Sequence, residues 1–96
     1  MTYEVRLQPE AIQAAARIYQ YYEKERKGLG ERFLRALNKC YEELEKNPNF
    51  QVRKIRYRNI MLRRFPYRII YVVEDPVVQV YAIRHMSRRS SKRFGP

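Results

Sequence analysis

A chain of 96 residues suffices for one domain with a single modest core and is too short for two. A hydrophobic content of 45% excludes a disordered polymer, and the sole cysteine, Cys40, excludes an intramolecular disulfide and a cysteine-built zinc site. The net charge of +11 is unevenly divided: 12 Lys/Arg against 2 acids from Val52 to Pro96, but 9 against 8 from Met1 to Gln51. A cationic second half predicts an anionic partner. No run approaches the roughly 20 apolar residues of a membrane span, and the N-terminus has no apolar signal core. A cytoplasmic location without a membrane partner is expected.

Tyr3 to Leu7 alternates apolar and polar residues and reads as a half-buried strand. Pro9 suits the first turn of a helix, with Glu10 placed for the dipole. From Pro9 to about Lys27, Ile12, Ala15, Ala16, Tyr19 and Tyr22 follow helical spacing. Gly28 and Gly30 break that pattern: Gly28 suits a left-handed cap, and Gly30 the start of a second helix. The second helix runs from Glu31 to about Lys46, with Phe33, Leu34, Leu37, Cys40, Tyr41 and Leu44 as its stripe. Cys40 is expected as a small buried thiol. Asn47-Pro48 ends the helix, and the short connector predicts a helical hairpin.

The second half switches to strands over 52–57, 60–65, 67–74 and 77–85, with Asp75-Pro76 as the last turn. The expected fold class is α+β: an N-terminal strand, then a two-helix hairpin on one face of a mostly antiparallel sheet of four or so strands. The other face is expected to be open. Residues 1–96 read as a single domain. Residues 86–96 form a basic tail, for which a short helix, an ordered arm and a flexible segment all stay open.

A two-residue turn pairs Glu74 with Val77 and fixes the hairpin register. Tyr67, Ile69, Tyr71 and Val73 then share the core face with Val78, Val80, Ala82 and Arg84. Arg68, Ile70 and Val72 lie on the opposite face beside Gln79, Tyr81, Ile83 and His85. In that register Arg68 and His85 come within diagonal reach, with Arg88 and Arg89 following. Guanidiniums there would hold phosphate oxygens, and His85 would serve as acid or base. The same residues also make a solvated basic surface. The cluster has no carboxylate, so no metal is expected, and the chain has no nucleotide-binding loop motif. No cofactor is expected.

The chain resembles the RelE/ParE superfamily of toxins from bacterial type II toxin–antitoxin (plasmid stabilization) modules. The resemblance rests on the strand before Pro9, the Tyr21-Tyr22 pair, the stretch Gly28-Leu29-Gly30-Glu31-Arg32-Phe33-Leu34, and Pro48. Its most telling part is Arg64-Phe65-Pro66-Tyr67-Arg68-Ile69-Ile70-Tyr71, followed by His85 and Arg88-Arg89. It implies a helical hairpin on an antiparallel sheet and a cognate antitoxin as partner. Two activities follow from it. ParE-like members bind and poison DNA gyrase; RelE-like members cut mRNA on the ribosome. The sheet arginine of the nuclease pattern falls on Arg68 and its second arginine on Arg88. Its C-terminal tyrosine falls on Phe94, and its lysines fall near Asn59 and Met61, so the acid–base positions are lost. His85 is the remaining candidate. Arg68, His85 and Arg88 are therefore the catalytic set in the nuclease reading alone. The Phe-Pro-Tyr and His-plus-Arg-Arg details are closer to the ParE-like branch, a growth inhibitor that works by binding. Arg56, Arg63, Arg64, Arg84, Arg89, Lys92 and Arg93 are candidates for target or nucleic-acid contact. Ile70, Val72, Tyr81 and Ile83 are expected to be exposed beneath the antitoxin.

Overall fold

The computed structural model describes residues 2–48 and 57–86, together with the backbone of 51–53. The elements are β1 (Glu4–Leu7), α1 (Pro9–Glu25), α2 (Leu29–Lys46), β2 (Gln51–Arg53), β3 (Tyr57–Met61), β4 (Tyr67–Glu74) and β5 (Val77–His85). They build the expected α+β fold, with the sheet at five strands in the order β1-β5-β4-β3-β2. β1 runs parallel to β5, and the remaining pairs are antiparallel. The tail from residue 87 onward lies outside the described residues.

The helical hairpin is set by local chemistry. Pro9 enters α1 at its first turn, and α1 stops where the Arg26 backbone N–H donates to the Tyr22 carbonyl at 3.0 Å. Gly28 takes the left-handed conformation (φ 90°), as its missing Cβ permits, and is the N-cap of α2. The Glu23 carboxylate of α1 then accepts the Gly28 and Gly30 N–H groups, each at 2.9 Å. This satisfies donors that a helix start leaves unpaired. Gly30 is also where the helices touch: a Cβ there would lie 2.8 Å from the Tyr19 carbonyl oxygen.

α2 buries its expected stripe through Phe33, Leu37, Cys40 and Leu44. The stripe of α1 is rotated from the expected one. Ala11 and Ala14 are buried while Ile12 is 53% exposed, because the small alanines let the helix approach the sheet closely. The core lies between the hairpin and the sheet, with Phe33, Ile69, Tyr71, Val78 and Val80 at its centre. The buried Tyr71 hydroxyl donates to the Pro48 carbonyl at 2.6 Å, tying the end of α2 to the central strand.

Two strand boundaries differ from the sequence expectation. The 52–57 run divides, with β2 ending at Arg53 and β3 starting at Tyr57, and residues 54–56 lie outside the described residues. The 60–65 run is shifted toward the N-terminus, since β3 ends at Met61. Pairing Ile60 with Ile69 sends Ile60 into the core, Leu62 is buried beyond it, and the chain then turns through Arg63 and Arg64. Arg64 adopts φ 70°, which no extended strand contains.

The largest correction is a bulge in β5. Glu74 pairs with Val77 as expected and Tyr71 with Val80, but Ile70 pairs with Ala82, leaving Tyr81 as the extra residue. The apolar spacing explains it. Val78 and Val80 face the core, and a regular strand would next offer Ala82. The extra residue lets the larger Ile83 fill the position opposite Ile69 instead.

Candidate functional site

The bulge decides which basic groups meet. Beyond it, directly paired residues are Arg68 with Arg84 and Tyr67 with His85. Arg68 follows Tyr67 in the strand, so the two point to opposite faces. His85 therefore lies on the helix side, edge-on to the Tyr67 ring at 5.1 Å. The expected Arg68–His85 diagonal pair is not formed on one face, and Arg84 takes the place of His85 beside Arg68. Two guanidiniums directly opposite each other repel. The Glu10 carboxylate, 2.7 Å from Arg84, offsets this. β1 ends where Leu7 pairs with Val80, so no described strand flanks β5 where Arg84 reaches Glu10.

The face opposite the helices is not the open surface anticipated. Arg68 is 7% exposed, and Ile70 and Val72 are buried with it. Ile70 and Ala82 form a second small cluster, flanked by Tyr57 and Tyr81 with ring centroids 6.0 Å apart. Ile83 is buried on the helix side. Of the four residues expected beneath an antitoxin, Tyr81 alone keeps appreciable surface. Asn59, at one of the lysine positions of the resemblance, is buried on this face, and its Nδ2 has no hydrogen-bond partner among the described residues. Met61, at the other, is well exposed. Arg63 and Arg64 are exposed on the β3–β4 turn. Arg56, Arg88, Arg89, Lys92, Arg93 and Phe94 lie outside the described residues.

The structure adds a groove that the sequence reading did not find. It lies between α1 and the end of β5, holds about 360 Å³, and is lined by Arg17, Tyr21, Tyr67, Arg84 and His85 over an apolar floor. Arg17 and Tyr21 stand one turn apart on α1, a signal that was available once the buried side of α1 was known. Behind the groove, Tyr22, Phe33, Phe65 and Tyr67 pack as a ring cluster, with Tyr22 edge-on to Phe65 at 5.1 Å. Burial there pushes the Tyr22 hydroxyl up to about 12, helped by its hydrogen bond with Tyr67. The Cys40 thiol is pushed up to about 11, first by burial and then by Glu43, so it is protonated and a poor nucleophile at neutral pH. Among the described residues, no cluster of His, Cys, Asp and Glu has the makings of a metal site, and no helix is long and apolar enough to cross a membrane.

The family model for the ParE toxin of the type II toxin–antitoxin system, parDE, matches residues 5–90. This chain belongs to the ParE toxin family. Solved structures carry the same fold at low sequence identity. The chromosomal ParDE toxin–antitoxin system of P. aeruginosa aligns with a TM-score of 0.80 at 14% identity, over 90% of this chain and 98% of that one. The intact E. coli RelBE toxin–antitoxin complex aligns at 0.66 and 22% identity, over 91% and 99%. The RelE–RelB complex of Pyrococcus horikoshii OT3 aligns at 0.56 and 21%, over 93% and 100%. A search of curated proteins finds no match. The two-helix, mixed-sheet architecture of this ParE-family chain is thus shared with toxins on both sides of the superfamily.

Proposed function

We propose that this chain is a growth-inhibiting toxin that acts in the cytoplasm as a single domain, by binding DNA gyrase, and that a cognate antitoxin neutralises it. The observation that carries this reading is the ParE family match over residues 5–90. The geometry supports it from the side of chemistry. Ribonuclease action needs one group to take the 2′-hydroxyl proton and another to protonate the leaving oxygen. His85 stands on the helix side of the sheet, away from Arg68. The RelE-like reading, an mRNA endonuclease using Arg68, His85 and Arg88, is favoured by the two retained arginine positions, Arg68 and Arg88. Antitoxin contact on the sheet face is proposed to centre on Tyr81, Tyr57 and Met61, since Ile70 and Val72 are already buried. Contact with the target is proposed to involve the exposed Arg63 and Arg64.

Two assays on the purified chain test the proposal: supercoiling by DNA gyrase, and mRNA cleavage on programmed ribosomes. The expected result is loss of supercoiling with little or no cleavage. Robust cleavage abolished by His85→Ala, with gyrase unaffected, would replace this reading with the nuclease.

A further inference from the structure

We infer that the groove between α1 and the end of β5 is a binding site for a phosphate group, on the helix side of the sheet. Three nitrogen-bearing side chains reach it from different directions. Arg17 comes from the exposed side of α1 and His85 from the helix side of β5, while Arg84, whose strand position is opposite Arg68, borders the groove at the edge of β5 where it meets Glu10 of α1. The Tyr21 ring, 56% exposed, brings a hydroxyl to the same space.

The groups are held in place. Arg84 is fixed by Glu10 at 2.7 Å, and His85 rests edge-on against Tyr67 at 5.1 Å. Glu10 balances one guanidinium, and Arg17 leaves the groove net positive. Among the described residues, no carboxylate belongs to the lining itself. Donors from helix and strand can meet several acceptor oxygens of one tetrahedral oxyanion, and guanidiniums pair bidentately with phosphate. A volume of about 360 Å³ exceeds what one phosphate needs. The tyrosine rings beside the donors give room for the molecule that carries the phosphate, and a nucleotide base stacks on such rings. The bulge at Tyr81 makes the site, because it places His85 on this side of the sheet.

The test exploits the single histidine, whose imidazole NMR signals report on the groove without ambiguity. The intact chain is titrated at constant ionic strength with inorganic phosphate, with a mononucleotide, with a short single-stranded oligonucleotide, and with glutamate as the carboxylate control. A saturable shift of the His85 signals by phosphate is expected, weakened about tenfold by Arg17→Gln, the loss of one charge-assisted contact. Arg26→Gln, an exposed charge in the interhelical connector, should leave it unchanged. Tighter saturation by the mononucleotide than by phosphate supports a nucleotide as the carrier. Tightening only with the oligonucleotide supports a nucleic-acid strand. No saturation, equal loss in both variants, or a response to glutamate as strong as to phosphate each overturns the proposal, the last assigning the groove to acidic protein segments.

Discussion

Gly30 shows how much a single missing Cβ carries. Added there, a Cβ would sit 2.7 Å from Glu23 Cγ and 2.8 Å from both the Tyr19 ring and its carbonyl oxygen. Glu23 can move aside only by giving up the Gly28 and Gly30 N–H groups it accepts, and the Tyr19 carbonyl is part of the α1 backbone. Gly30→Ala is therefore expected to lower stability by about 1–3 kcal/mol, as overpacking does, read in a urea melt. An unchanged midpoint would mean that the helices separate at little cost. Cys40 and Tyr22 make a second prediction at this scale. Both are raised by burial, Cys40 from 9.0 to about 11 and Tyr22 from 10.0 to about 12. A raised value means that the folded state keeps its proton when the unfolded chain has already lost it. The stability these groups contribute is thus complete below pH ~9, their unfolded range, and is lost progressively toward pH ~12. Melting temperature should fall across that alkaline window, and Cys40→Ala should flatten its lower part. A flat profile between these limits would refute the burial argument.

At the level of elements, the sequence predicts well wherever one period dominates. The α2 stripe from Phe33 to Leu44 is buried as its spacing says, and the switch to strands after Pro48 falls where the helical pattern stops. It predicts poorly where two regular readings compete. On α1, small alanines and the larger Ile12 both have helical spacing, and close approach to the sheet selects the alanines. In β5 the turn at Asp75-Pro76 is read correctly, yet strict alternation from it puts Ile83 on the wrong face. Alternation has no means of signalling an extra residue; only the competition between Ala82 and Ile83 for one core position does. The coverage of the second sheet face was also hidden, because it depends on Tyr57 and Tyr81 meeting across strands. The bulge is testable by truncation. Ile83 is 4% exposed and faces Ile69, so Ile83→Ala is expected to cost about 2–4 kcal/mol. A loss below about 0.5 kcal/mol, the usual range for surface substitutions, would mean that Ile83 is not packed in the core.

Over the whole molecule, charge and fold are segregated. The helical hairpin is nearly neutral, while the sheet half carries a net of ten positive charges: 12 Lys/Arg less 2 acids from Val52 onward. Such a field steers anionic partners toward the sheet half, whichever surface finally docks. Non-specific attraction and a specific phosphate contact differ in their dependence on salt. Each phosphate neutralised on a double helix adds about 0.9 to the slope of log affinity against log salt. Arg63 and Arg64 are exposed on the β3–β4 turn and separate from the α1–β5 groove. Replacing both with Gln should therefore leave the fold intact and reduce the slope for duplex DNA by up to about 1.8, two contacts' worth. Arg32→Gln with Arg35→Gln, two exposed cations of the charge-balanced half, should leave the slope close to that of the parent chain. Equal reductions in the two double variants would show that binding follows total charge and that the segregation has no directional role.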